Sequence, residues 1–216
     1  MLFLLYTADL VQLVESSELY PHLYADDIQI YGLCRPGDTD SLRKRVADCV
    51  AAIAGWMRSS RLQLNASKTE VLWCASTRRQ SELPSDPLAV GSDLVSPVRC
   101  VRDLGIFIDA DLTMRTQVTQ TCSKCFAAFR LLRSIRRSMS NDVMQSLIVA
   151  LVSSRLDYGS ATFAGLPKQL MDRLQSVQNA AAWLIFKACR QDHIQPLLCR
   201  LHWLRICCLV LSLIHI

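Results

Sequence analysis

The amino-acid sequence predicts an α+β fold in which a part built of strands and helices is followed by an all-helical part. Between residues 20 and 108, short runs alternate apolar and polar side chains, a pattern typical of half-buried strands. After Asp111, apolar residues recur at helical spacing instead. The sequence shows no internal repeat and no low-complexity tract, so we expect a folded chain.

Composition narrows the class of protein. The 216 residues carry a formal net charge of +5, a mild basic excess that fits a polyanion partner without establishing one. Ten cysteines without a secretory signal favour a reducing compartment, so we expect an intracellular protein of the nucleus or cytoplasm. The apolar runs Leu2–Tyr6 and Ile206–Ile216 are too short to span a bilayer, and nothing indicates a membrane or an obligate protein partner.

The first part is predicted to begin with an apolar helix over residues 1–16. Two short strands then flank Asp26 and Asp27, which we place in the turn between them. A helix follows, capped within residues 38–40, with its apolar positions spread over Leu42–Met57.

Further strands are predicted at Lys68–Cys74, Leu88–Val90, Leu94–Val95 and Val101–Ile108. The stretch Thr77–Pro87 is rich in Arg, Ser and Pro, and we expect it to be an exposed connection.

The second part is predicted to contain three amphipathic helices. They cover Met114–Arg137, Asn141–Leu156 and a segment from Pro167 to about Lys187. Ser140 or Asn141 can cap the second helix, because a short polar side chain satisfies free backbone N–H groups.

Asp26 and Asp27 are the most informative residues of the chain. Adjacent carboxylates in a tight turn repel each other, and a bound divalent cation would offset that cost. Carboxylate oxygens suit Mg²⁺, and paired metal ions catalyse displacement at phosphorus. The alternative is that Asp-Asp simply favours a solvated turn.

Basic residues concentrate on the first helix of the second part, and no acidic residue lies among them. They are Arg115, Lys124, Arg130, Arg133, Arg136 and Arg137. Such a cluster can neutralise the phosphates of a nucleic acid, and its alternative is an ordinary solvated face.

The cysteines and tryptophans are interpreted as structural. Cys122 and Cys125 form a lone C-x2-C with no second pair to complete a zinc site. We expect the core to contain Cys34, Cys49, Cys74, Cys100 and Cys189, together with Trp56, Trp73, Trp183 and Trp203.

Four segments, in this order, resemble the reverse transcriptase of non-long-terminal-repeat (LINE-type) retrotransposons. They are Leu23–Asp27 with its Tyr-Ala-Asp-Asp, Leu62–Glu70, Val101–Gly105 and Ser154–Gly159. The resemblance implies the C-terminal part of a polymerase palm over residues 1–110, with helices packed on an antiparallel sheet. It also implies a helical thumb over residues 111–160 and a helical extension over residues 161–206.

In that family the first aspartate of the hairpin is a principal metal ligand and the second assists, roles that fall here on Asp26 and Asp27. The resemblance implies two Mg²⁺ ions in the intact enzyme, an RNA template, a DNA primer and deoxynucleoside triphosphates. Tyr24 would adjoin the nucleic acid, and Lys68 would lie near the leaving pyrophosphate. The alternative for Lys68 is an exposed strand lysine. Leu104 and Gly105 resemble the segment that grips the primer; the alternative is a close packing point within a strand.

The family's further catalytic aspartate and its fingers would precede Met1, so we expect the chain to be an inactive fragment of an RNA-directed DNA polymerase, a nucleotidyltransferase. Two alternatives stay open: a non-catalytic nucleic-acid-binding relic that uses the basic helices, and a helical interaction protein. Residues 207–216 form a tail. Its last six, 211–216, resemble the translated transposase end sequence of sequencing libraries, and we expect them to be an artefact; the alternative is a short apolar strand or helix end.

Overall fold

The computed structural model describes residues 6–214 and divides between Arg99 and Cys100 into two compact units. Both helices and strands are present, so the predicted α+β class is confirmed. The expected single antiparallel sheet is not: the described strands form separate two-stranded pairs. Most of these strands span only two to four residues, which leaves little backbone for further pairing. Residues 1–5 of the predicted first helix and residues 215 and 216 of the tail lie outside the described residues.

The first unit contains the following elements, in chain order: helix α1 (Ala8–Glu15), strands β1 (Tyr20–Tyr24) and β2 (Asp27–Tyr31), helix α2 (Thr39–Ser59), and strands β3 (Val71–Leu72), β4 (Leu88–Val90), β5 (Asp93–Val95) and β6 (Pro97–Val98). Short 3₁₀ turns at Pro36–Asp38, Ala66–Lys68 and Thr77–Glu82 connect them.

The core of this unit forms where α1 and α2 meet one face of the β1–β2 hairpin. Leu10 and Val14 of α1 are fully buried, and Leu42 and Ile53 of α2 are only 5% and 3% exposed. Strand β1 contributes partly buried side chains that alternate with exposed ones, including Leu23, whereas the three central residues of β2 are all partly buried. The alternation that predicted β1 is therefore the alternation between core and solvent.

The predicted strand Lys68–Cys74 is wrong over most of its length, because only Val71–Leu72 pairs, in parallel with Pro97–Val98. The cause lies just upstream. The Asn65 carboxamide accepts hydrogen bonds from the backbone N–H and the hydroxyl of Ser67, at 3.1 and 2.6 Å. These bonds fix a 3₁₀ turn that an extended backbone would break.

The second unit contains these elements, in chain order: strands β7 (Cys100–Asp103) and β8 (Ile106–Asp109), helices α3 (Arg115–Ile135) and α4 (Asn141–Ile148), a π-helical segment (Val149–Ser153), and helices α5 (Ser154–Asp157), α6 (Lys168–Phe186), α7 (Ile194–Arg200) and α8 (Ile206–Ile214). Short 3₁₀ turns lie at Arg136–Ser138 and Ser160–Phe163.

The single strand predicted at Val101–Ile108 is wrong, because the chain reverses in its middle. Strands β7 and β8 pair antiparallel, with Asp103 opposite Ile106. Leu104 and Gly105 form the two-residue turn, with φ angles of +43° and +86°. Two consecutive positive φ angles match the turn that suits a tight hairpin.

Hydrogen bonds hold this hairpin on α3, so it lies in the second unit and not at the end of the first, where the predicted boundary at residue 110 put it. The buried Asp109 carboxylate accepts a hydrogen bond from the Thr116 N–H at 3.0 Å and thereby caps α3. The Gln117 side chain accepts another from the Phe107 N–H at 3.0 Å. Hydrogen bonds from Thr113 lower the pKa of Asp111 beside them.

The predicted helices of the second unit are confirmed to within a few residues. Val118, Phe129, Met144, Leu174 and Val177 are all fully buried and form the centre of one apolar core. The Ser140 hydroxyl caps α4 by accepting from the Val143 N–H. Pro167 precedes the first residue of α6, where its missing N–H costs nothing.

The Arg136 side chain is buried, 6% exposed, and joins three elements of the second unit. Its guanidinium donates to the carbonyl oxygens of Leu184 and Ile185 at the end of α6, at 2.7 and 2.5 Å. It also donates to the Met139 carbonyl at 2.9 Å and to the Asn141 side chain at 2.5 Å. The positive charge lies at the helix end where the carbonyl dipoles are negative, a favourable position.

We expect Arg136→Met to lower the free energy of unfolding by about 2–4 kcal/mol, because it leaves buried carbonyl oxygens without donors. Arg137→Met removes the same charge from an exposed neighbour and should change stability by less than about 0.5 kcal/mol. Urea unfolding of the two variants measures the difference. Equal stabilities would contradict the structural role of Arg136.

Candidate functional site

Asp26 and Asp27 lie at the tip of the β1–β2 hairpin, as predicted, but in different positions. The register pairs Tyr24 with Asp27, so the turn consists of Ala25 and Asp26, and Asp27 begins β2. Placing both aspartates in the turn was therefore wrong by one residue. Ala25 adopts a φ of +54°, the left-handed conformation that closes a two-residue loop. Both carboxylates are exposed.

The outer face of this hairpin is aromatic. Alternation puts Tyr20, Tyr24, Tyr31 and Asp27 on the same exposed side. The rings of Tyr20 and Tyr31 stack with their centroids 5.3 Å apart, and Tyr24 is 60% exposed beside the turn. Asp27 therefore shares its face with aromatic rings, whereas Asp26 extends the tip.

The two aspartates supply part of a metal site. Exposed carboxylate oxygens are the donors that Mg²⁺ takes, and Mg²⁺ completes its shell with waters and substrate phosphates. Within residues 6–214, no group of three or more His, Cys, Asp or Glu side chains is placed to hold a metal ion. The donors fit Mg²⁺ chemically, and two neighbouring carboxylates are fewer than a two-metal centre uses.

Lys68 does not join these carboxylates through any hydrogen bond or ion pair of the described residues. Lys68 is exposed, as its alternative interpretation expected, but it ends the 3₁₀ turn Ala66–Lys68 and does not lie on a strand. The fold of the first unit thus brings Tyr24, Asp26 and Asp27 together and leaves Lys68 without a contact to them.

Leu104 and Gly105 are held by a segment more than fifty residues later. The Tyr158 hydroxyl donates a hydrogen bond to the Leu104 carbonyl across a separation of 54 residues. A Cβ added at Gly105 would lie 3.4 Å from the Tyr158 ring, and one at Gly159 would lie 2.7 Å from the Ile106 side chain. Two of the four sequence segments that carry the resemblance, Val101–Gly105 and Ser154–Gly159, are therefore in contact.

The basic side chains of α3 and of the turn after it divide into two groups. Arg115, Lys124, Arg130, Arg133 and Arg137 are exposed, as a nucleic-acid interface requires. Lys124 also places its ammonium 5.9 Å from the centre of the Phe107 ring. The prediction that Arg136 contacts nucleic acid is not supported, because its guanidinium is buried and bonded to carbonyl oxygens.

The end of α3 and the end of α6 enclose a basic cleft of about 400 Å³ that the sequence did not predict. Its lining comprises Arg133, Arg136, Arg137, Ala180, Trp183, Leu184, Lys187, Ala188 and Arg190. The available signal was an absence of acidic residues, which are missing from 112–141 and again from 173–191. Only the fold shows that these two stretches meet.

The burial of the cysteines agrees only partly with the prediction. Cys122 and Cys125 lie in the core, and burial raises the pKa of the Cys125 thiol to about 11, so it is a protonated apolar group rather than a thiolate ligand. Of the five cysteines assigned to the core, only Cys49 is buried; three are exposed, and Cys100 is half-buried. The four tryptophans are all half-buried rather than internal.

Comparisons of the chain with protein-family models, curated proteins and solved structures found no match. The resemblance to reverse transcriptases accordingly stays a prediction from the sequence. None of the described helices combines the length and the apolar character that crossing a bilayer requires.

The contact between Gly159 and Ile106 can be tested with a matched pair of glycines. Gly159 and Gly165 have φ angles of +69° and +74°, but only Gly159 faces a neighbour within 4 Å. We expect Gly165→Ala to cost about 1 kcal/mol of unfolding free energy from backbone strain alone. Gly159→Ala should cost about 1–2 kcal/mol more because the methyl group displaces Ile106. Chemical denaturation measures both, and equal losses would contradict the contact.

Proposed function

We propose that the chain carries palm and thumb elements of an RNA-directed DNA polymerase of the non-long-terminal-repeat retrotransposon type. The observation that carries this proposal is the Tyr-Ala-Asp-Asp hairpin, with Tyr24 opposite Asp27 and Asp26 in the two-residue turn. This register leaves both carboxylates exposed at the tip beside Tyr24, where a metal ion and a nucleic acid have access to them.

In this proposal Asp26 and Asp27 hold Mg²⁺, which supplies charge neutralisation at the attacking and leaving oxygens when bound. Tyr24, on the exposed face of β1, would adjoin the nucleic acid, and Lys68, on an exposed turn, would lie near the leaving pyrophosphate. The intact enzyme would use an RNA template, a DNA primer and deoxynucleoside triphosphates.

The second unit supplies the nucleic-acid contact. Arg130, Arg133 and Arg137 follow one another at i, i+3 and i+7, so α3 and the turn after it present them on one stripe. All three are exposed, and their guanidinium groups form no ion pair among the described residues. Phosphates of a template–primer duplex are the complementary partner.

A non-catalytic nucleic-acid-binding function is the second candidate. It is favoured by the same unpaired arginines together with the lack of a third metal ligand near the hairpin in residues 6–214. The two candidates differ in whether the hairpin binds metal, and the first experiment below separates them.

We expect Mn²⁺, a paramagnetic substitute for Mg²⁺, to broaden the amide NMR signals around residues 24–28 of the full chain. The double variant Asp26→Asn/Asp27→Asn should lose this broadening, because amides do not neutralise the ion. Asp93→Asn is the matched control, since Asp93 follows the turn of the β4–β5 hairpin opposite Val90, as Asp27 follows its turn opposite Tyr24. Broadening that is absent, or unchanged in the double variant, would favour the non-catalytic function.

We expect the chain to bind an RNA–DNA hybrid with an affinity that falls steeply as salt rises, about one log unit per log unit of salt for each phosphate neutralised. Arg130→Ala/Arg133→Ala should reduce that slope by about 2. Filter binding over a salt series gives the slope, and salt-insensitive or absent binding would contradict both candidate functions.

With a primer, a template, Mg²⁺ and nucleotides we expect no extension of the primer, because two carboxylates do not complete the metal centre. Extension above background would contradict this expectation.

A further inference from the structure

The basic cleft between the ends of α3 and α6 has the character of a binding site. Its volume of about 400 Å³ is that of a small-ligand pocket. It is lined by five cationic side chains and no acidic one, together with the half-buried indole of Trp183.

The cations of the cleft are available to a ligand. Among the described residues, the charged groups of Arg133, Arg137, Lys187 and Arg190 form no hydrogen bond or ion pair. Four neighbouring positive charges without counterions repel each other. An anion bound among them would relieve that repulsion, so the cleft favours a ligand with more than one negative charge.

The fifth cation, Arg136, prepares the site rather than binding in it. The end of α6 would present carbonyl oxygens to the cleft, and their negative partial charge would oppose an anion. Arg136 donates to the Leu184 and Ile185 carbonyls and so offsets that charge. An anion in the cleft therefore meets a helix end that is already neutralised.

Trp183 adds a different kind of contact. Its indole N–H donates to the Asp192 carbonyl at 3.4 Å, which orients the ring in the cleft wall. An aromatic ring among cations is the combination that single-stranded nucleic acid uses, because each nucleotide carries a phosphate and a flat base.

We propose that this cleft binds one unpaired nucleotide of a single-stranded nucleic acid, with its base stacked on Trp183 and the flanking phosphates held by Arg133, Arg137, Lys187 and Arg190. The inference rests on the proposed nucleic-acid binding of the second unit, and it adds a specific place and a recognition of the base. A duplex can contact Arg133 and Arg137 through its phosphates, but its bases are stacked within the helix and do not stack on Trp183.

The test compares a fluorescein-labelled oligothymidylate of about ten nucleotides with an abasic strand of the same length and charge, by anisotropy with the full chain. Trp183→Leu should weaken oligothymidylate binding about 5- to 50-fold and leave abasic binding unchanged. Trp183→Phe should restore binding to within about 3-fold, which also shows that the fold survives. Arg133→Ala/Arg137→Ala should weaken both ligands, whereas Arg78→Ala/Arg79→Ala, an exposed pair in the first unit, should weaken neither.

The outcomes separate the base contact on Trp183 from nucleic-acid binding in general. If Trp183→Leu binds each strand as tightly as the unchanged chain does, the base contact is overturned while nucleic-acid binding stands. Equal weakening of both strands by Trp183→Leu would overturn it as well. A failure of the unchanged chain to bind either strand would overturn the nucleotide site, and only a failure to bind the RNA–DNA hybrid as well would overturn the proposed nucleic-acid function. Displacement of both strands by polyglutamate of equal charge, at equal concentrations, would identify a general anion site and would overturn the nucleotide proposal.

Discussion

The second unit depends on one buried cation. Arg136 directly follows α3, and its guanidinium donates both to carbonyl oxygens in the last turn of α6 and to the Asn141 side chain at the start of α4. A planar group with donors in a fixed fork can satisfy several oxygens simultaneously, which a lysine cannot do. These hydrogen bonds hold together the helix ends beside which the basic cleft lies. The sequence suggests that Arg136 binds a ligand, whereas in the structure its guanidinium stabilises the helix ends beside the basic cleft.

The sequence predicted the fold best where a single local pattern decided the structure. The helices of the second unit follow from apolar spacing, and the Ser140 cap follows from side-chain chemistry. Errors arose where a short polar residue competed with the pattern. Asn65 folds its neighbours into a 3₁₀ turn although the residues beyond it alternate like a strand. A second error came from a turn within an alternating pattern: Leu104 and Gly105 reverse the chain with positive φ angles, and Tyr158, far away in sequence, contacts that turn.

The candidate site was predictable in part for the same reason. The Tyr-Ala-Asp-Asp hairpin is local, so its residues and its turn could be read from the sequence to within one position. The basic cleft is assembled from two segments that are about fifty residues apart, and neither segment alone indicates a pocket. Arg136 and Arg137 are adjacent and chemically identical, yet one is buried and the other exposed. Only the packing of the helices determines which of the two arginines is buried, and composition does not predict that packing.

The contact of Tyr158 with the turn of the β7–β8 hairpin joins two parts of the second unit that are distant in sequence. Tyr158 directly follows α5, and its hydroxyl donates a hydrogen bond to the Leu104 carbonyl in the turn. Immediately before α5 the helix widens into the π-helical segment Val149–Ser153, where the regular hydrogen-bond ladder is interrupted. The end of this interrupted helix is therefore anchored by a long-range contact with the hairpin as well as by its own backbone hydrogen bonds.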